Sequence, residues 1–127
     1  MWELLQEIET KIKTISDFKT VDIGKEKGLN SKSCPACRVM LMGRTPTTRQ
    51  YFEDARLDIL IILDSKNDVR KNTENIIELE DKIINVLGGS RVKFIESMLD
   101  NDLYAADFKS TVLYYDAKGI QNNRGVC

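Results

Sequence analysis

The residues from Pro35 to Ser65, PACRVMLMGRTPTTRQYFEDARLDILIILDS, carry the strongest pattern in the chain. A short apolar run, Cys37 to Met42, precedes a polar stretch of glycine, threonine and proline; then Ala55, Leu57, Ile59, Ile61 and Leu63 occupy alternate positions. Successive side chains of a strand point to opposite faces, so this spacing predicts a strand over 51–63 with one apolar face. Its other face starts polar at Asp54, Arg56 and Asp58 and turns apolar at Leu60 and Ile62. Such a strand begins half exposed and ends buried on both sides. Cys37 to Met42 is expected to pair with it, and Pro35 can open that strand without losing a ladder bond. Gly43 to Gln50, GRTPTTRQ, is then a long hairpin loop, too long for a two-residue turn.

Helical spacing occurs twice. Leu5, Ile8, Ile12 and Ile15 lie three and four apart within 1–16, with Glu3, Glu7 and Glu9 early and Lys11 and Lys13 late, the order a helix dipole favours. Ile76, Leu79, Ile83 and Val86 mark a second helix running to Leu87, capped by Asn72 or Thr73 and stopped by Gly88-Gly89. Phe18 to Ile23 alternates weakly and predicts a short strand, Gly24 to Ser33 a polar loop, and Asp64 to Lys71 a polar connection. Arg91 to Met98 reads as a strand, Leu99 to Leu103 as an acidic turn, and Tyr104 to Tyr115 as a final strand. This order predicts an α+β fold: an antiparallel or mixed β-sheet meander with two main helices packed on one face. One domain over 1–116 is expected, followed by a tail, 117–127, too poor in apolar residues to pack and therefore frayed.

At 127 residues the chain is long enough for one independent core. Charge narrows the partners: 19 basic against 20 acidic side chains give no electrostatic drive toward nucleic acid or an anionic membrane. The longest apolar run, Ile59 to Leu63, is far short of a membrane span. The opening MWELLQEIET lacks the basic leader and apolar core of a secretory signal. Three cysteines close no disulfide framework, which suits a reducing cytoplasm.

The chain has no histidine, which removes the commonest general base and metal ligand together. Cys34-Pro35-Ala36-Cys37 matches a redox motif in spacing, but it follows a polar loop and precedes a strand, whereas a reactive dithiol sits at a helix N-terminus. Packing of Cys37 in the sheet, with Cys34 at its rim, is the expectation. A zinc site would need a fourth ligand beyond Cys34, Cys37 and Cys127. Glu53, Asp54 and Asp58, and separately Asp100, Asp102 and Asp107, are expected on a solvated strand face and turn. No enzymatic activity, metal or cofactor is expected.

In the order of its pieces, the chain resembles the tail terminator (tail-completion, minor tail) proteins of long-tailed bacteriophages such as lambda. The residues that carry the likeness are the opening amphipathic helix, Pro35-Ala36 leading into Val39 to Gly43, the alternating run Ala55 to Leu63, and the helix Ile76 to Leu87. Ala106-Asp107-Phe108 followed by Val112, Tyr114 and Tyr115 completes it, so the likeness spans about residues 1–116. The resemblance implies a virion structural protein assembled in the host bacterial cytoplasm. It implies a closed homo-oligomeric ring, a hexamer, that caps the tail tube and joins it to the head-tail connector. Arg44, Thr45, Thr47, Thr48 and Arg49 would form a subunit- or partner-contact loop, and Asp100, Asp102 and Asp107 an acidic lining of the lumen that keeps passing DNA from sticking. Sequence-specific nucleic acid and membrane are not among the expected partners. The alternatives are a head-closure or neck protein of the same module, and a small intracellular protein-binding or regulatory domain without catalytic activity.

Overall fold

A computed structural model describes residues 1–24, 31–49, 51–64, 69–100 and 108–121. Two helices, α1 (Trp2–Lys13) and α2 (Val69–Leu87), accompany five strands: β1 (Thr20–Ile23), β2 (Ala36–Pro46), β3 (Phe52–Asp64), β4 (Val92–Asp100) and β5 (Phe108–Gln121). The strands form one sheet in the order β1-β2-β3-β5-β4. β1 runs parallel to β2, and the other three pairings are antiparallel, so this is an α+β fold on a mixed sheet. β5 lies between β3 and β4, and α2 is the crossover that carries the chain past the place β5 fills.

The core follows from the alternation in β3. Leu57, Ile59 and Ile61 are fully buried on one face, flanked by Ala55 and Leu63. Cross-strand partners extend that face: Cys37 opposes Ile61 and Val39 opposes Ile59 on β2, while Leu113 and Tyr115 oppose Ile59 and Leu57 on β5. Leu4, Leu5, Ile8 and Ile12 of α1, and Ile76, Leu79, Ile83 and Leu87 of α2, join the same cluster. Both helices thus cover one face of the sheet. The opposite face, bare in the sense that no described α-helix lies over it, holds a small second cluster of Cys34, Ala36 and Ile62. Fully burying one Leu or Ile side chain is worth about 1.5–3 kcal/mol, so the helix-side cluster dominates stability.

Several boundaries differ from the sequence expectation, each for a physical reason. Gly43 to Pro46 belong to β2, not to a loop, because pairing with β3 resumes after a bulge between Leu41 and Gly43 and continues to Pro46 opposite Glu53. α2 starts at Val69, so neither Asn72 nor Thr73 is its cap. Asn72 is buried and sits on the stripe of Ile76, Leu79 and Ile83, a polar residue on the core side of the first turn. α1 ends at Lys13, where Thr14 closes it by donating its amide to the Lys11 carbonyl, although Ile15 still packs in the core. β4 continues through Leu99 and Asp100, where an acidic turn was expected. The tail does not begin at 117: β5 runs to Gln121, with Ala117 and Ile120 buried opposite Ala55 and Glu53 of the lengthened hairpin. The expected loop over 25–30, the connection over 65–68, the turn and strand start over 101–107, and the tail over 122–127 lie outside the described residues.

Ile83 and Ile77 stand on opposite sides of α2, one fully buried and one half exposed. Ile83→Ala should lower unfolding free energy by about 2–5 kcal/mol, and Ile77→Ala by less than about 0.5. Urea melts of the two variants check this, and equal losses would contradict the placement of α2.

Candidate functional site

Among the described residues the sheet has two open edges on opposite sides, and the expected contact loop adjoins one of them. β1 pairs with β2 only as far as Val39. Beyond it, residues 41–46 of β2 are all exposed, and among the described residues no strand pairs with their outer edge. The hairpin of β2 and β3 therefore projects as an arm. Arg44 lies opposite Ala55, which directs it to the helix side. Its Nε and Nη2 both donate to Glu53 Oε1, at 2.8 and 2.6 Å. Glu53 is 1% exposed. A buried carboxylate is costly unless it accepts strong bonds, and the guanidinium supplies two charge-assisted ones.

The tip of the arm is also tied down. Thr47 Oγ1 accepts the Arg49 amide at 3.2 Å and lies within bonding distance of the Arg49 and Phe52 carbonyls. The Arg49 guanidinium sits 4.5 Å above the Phe52 ring, a cation–π contact. Tyr51 takes a left-handed φ of 71°, which turns the chain back into β3. Of the five expected contact residues, Arg44, Thr47 and Arg49 hold the arm in shape, while Thr45 and Thr48 are exposed without a side-chain role of that kind.

The other open edge is β4, the last strand of the sheet. Ile95, Met98 and Leu99 on it are each about half exposed, and Ile95 sits at a bulge between Phe94 and Glu96. Edges of natural sheets are commonly protected by charge or proline. Ser97, Met98 and Leu99 provide neither. Behind them Glu80 of α2 accepts the hydroxyls of Ser97 at 3.1 Å and Thr111 at 2.7 Å, which ties α2 to this side of the sheet. Sequence reasoning did not single out this edge. An uncharged Ser-Met-Leu run next to the acidic Asp100 was its available sign.

The bare face carries buried charge. Arg38 is almost fully buried; its Nη1 donates to Thr20 Oγ1 at 3.1 Å and to the Cys37 carbonyl at 2.9 Å, with Asp22 at 4.0 Å. Arg56 lies 5.1 Å from the Tyr114 ring centre and 3.8 Å from Asp58. Glu53 and Asp58, expected on a solvated face, are both buried. Glu53 shares the odd parity of Ala55 and so points to the helix side, and Asp58 is enclosed between Met40 and Tyr114, its cross-strand neighbours. Burial raises the Asp58 carboxyl above its usual range, and the Arg56 guanidinium pulls it partly back. Asp54 accepts the Gly119 amide at 2.9 Å. Asp100 ends β4, and Asp102 and Asp107 lie outside the described residues.

The two thiols of the Cys34–Cys37 motif face opposite sides of the sheet. Cys34 belongs to the bare-face cluster and Cys37 to the helix-side core. Burial raises both, Cys37 to about 12, so neither is a thiolate at neutral pH. Among the described residues no three acidic or thiol side chains converge as metal ligands. A cleft of about 280 Å³ lies between the start of α1 and the end of β5, lined by Met1, Trp2, Glu3, Arg91 and Ile120 among others. Glu3 and Arg91 are its charged side chains, and no nucleophilic side chain stands among its lining residues. No described helix is long and apolar enough to cross a membrane. The arrangement offers edges and an arm for association, with no assembled reactive centre among the described residues.

No family model and no curated protein matches the chain. Among solved structures, it is similar to a chain of the virion of a native gene transfer agent particle, at 12% identity and a TM-score of 0.50, over 93% of this chain and 90% of that one. The likeness is one of fold.

Removing the guanidinium from the arm leaves the buried Glu53 carboxylate without two strong bonds, so Arg44→Ala should cost about 1–3 kcal/mol in chemical denaturation. An unchanged midpoint would contradict the pairing. A second outcome concerns pH. The folded chain holds the Asp58 proton more tightly than the unfolded chain, so this group adds stability as pH falls through its raised value and subtracts from it above. Thermal melts from about pH 7 down toward the ordinary carboxylate range near 4 should show that gain, and Asp58→Asn should remove it. An identical pH profile in the variant would contradict the assignment.

Proposed function

We propose that this chain is a virion structural protein of a phage-like particle, a tail terminator that assembles as a closed hexameric ring. The ring caps the tail tube, stops its growth and offers a surface for joining the head-tail connector. No bond is made or broken in this role. The observation that carries the reading is the likeness of fold, over nearly the whole of both chains, to a chain of a gene transfer agent virion. The order of elements that resembles tail terminators supports it. So do the two open edges on opposite sides of one sheet, since a head-to-tail contact joins two different surfaces and generates a ring when the rotation closes. Asp100, Asp102 and Asp107, at the end of β4 and just beyond it, are proposed as the acidic lining of the lumen, where negative charge repels the passing genome.

Addition of the purified protein to a tail-tube assembly mixture tests the role. Tubes should stop growing and end in a ring, and the particle released from tube ends should have about six times the 14.5 kDa chain mass. Tubes that keep growing, with the protein remaining a 14.5 kDa monomer, would contradict it.

A further inference from the structure

We propose that the contact between neighbouring copies is a strand-to-strand joint: the outer edge of β4 pairs antiparallel with the outer edge of residues 41–46 of β2 in a second copy of this chain. This deepens the ring reading and rests on it. An open strand edge carries unmet backbone donors and acceptors, and adding a strand satisfies them. The two edges lie at opposite sides of one sheet, so a single subunit cannot join them to each other. Three successive antiparallel pairings set β4 opposite in direction to β2. A second copy in the same orientation therefore presents its β2 antiparallel to β4, and the sheet continues across the joint.

Side chains fix the register. Leu41 faces the helix side, opposite the core residue Leu57. Leu99 faces the same side, opposite Thr111, whose hydroxyl reaches Glu80 of α2. Setting Leu41 of one copy against Leu99 of the next covers two exposed apolar side chains with each other. The extra residue of the β2 bulge then places Gly43 against Met98 on the bare face. Open space surrounds the position a Gly43 side chain would take, so the exposed Met98 can lie there. The next pair is Arg44 against Ser97, both on the helix side. Ser97 already bonds to Glu80, so the guanidinium of Arg44, whose side chain is 36% exposed, arrives beside the Glu80 carboxylate of the neighbour. Opposite charge and apolar cover thus fall on the matching face of each strand, with no like charges opposed.

Thr45 and Glu96 face each other in this register, on the bare face, and both are exposed. The chain carrying Thr45→Cys, Glu96→Cys and Cys127→Ser, oxidised under assembly conditions, should give a ladder of disulfide-linked oligomers on a non-reducing gel. Either engineered cysteine alone should not. Leu41→Lys should raise the concentration for half-assembly at least about tenfold with an unchanged melting temperature, and adding Leu99→Glu should restore it. Assembly of the unaltered chain with no ladder, and with Leu41→Lys assembling normally, would overturn the edge joint while leaving the ring intact. An unaltered chain that stays monomeric even on tail tubes would overturn both.

Discussion

β3 must have its apolar face covered, and the rest of the structure follows from that need. With Leu57, Ile59 and Ile61 at fully buried alternate positions, no arrangement that left this face in water could be stable. β2 and β5 hydrogen-bond on either side of β3, and the two amphipathic helices lie over the face that results. Covering one face with both helices has two effects. It concentrates the core on one side, and it leaves the other side and the borders of the sheet to be managed by charge, by the chain itself, or by another molecule.

The bare face is managed by charge. Arg38 and Asp58 are buried there within reach of Asp22 and Arg56, and Leu60 packs against the small cluster of Cys34, Ala36 and Ile62. The borders are treated differently. β1 protects β2 only up to Val39, and β4 presents half-exposed Ile95, Met98 and Leu99 along an edge with no further strand among the described residues. Open edges of this kind offer backbone donors and acceptors to other chains, even where, as at Arg44 and Pro46, a charge or a proline stands on the strand. Here they stand on opposite sides of one sheet, so association through them, as proposed, would be head-to-tail, and it would stop at a ring where the rotation closes.

The fold class was legible because it rests on periodicity. Alternation from Ala55 to Leu63 and the three-and-four spacing of Leu5, Ile8 and Ile12 report which side of an element faces the core, and the structure places those side chains in it. The boundaries were less legible. Gly, Thr and Pro at 43–46 have the composition of a loop, yet a one-residue bulge lets them stay in the ladder. Asn72 resembles a cap but is buried, and Ala117 and Ile120 pack only because the partner strand is long. Glu53 looked solvated beside Asp54; its parity with Ala55 turns it inward, where Arg44, nine residues away in sequence on the paired strand, donates to it. The β4 edge had only a weak sign in the sequence, the uncharged Ser97-Met98-Leu99 run, because exposure of Met98 and Leu99 depends on β5 lying between β3 and β4.

Shape and self-association, rather than chemistry at a reactive centre, are the basis on which this protein is proposed to act. The most direct measurement is a cryo-electron microscopy reconstruction of the protein on the end of a tail tube. A closed ring of six copies is expected, with sheet continuing from β4 of one copy into β2 of the next. Copies that meet through their helices, with both sheet edges left in solvent, or an unoccupied tube end, would contradict it.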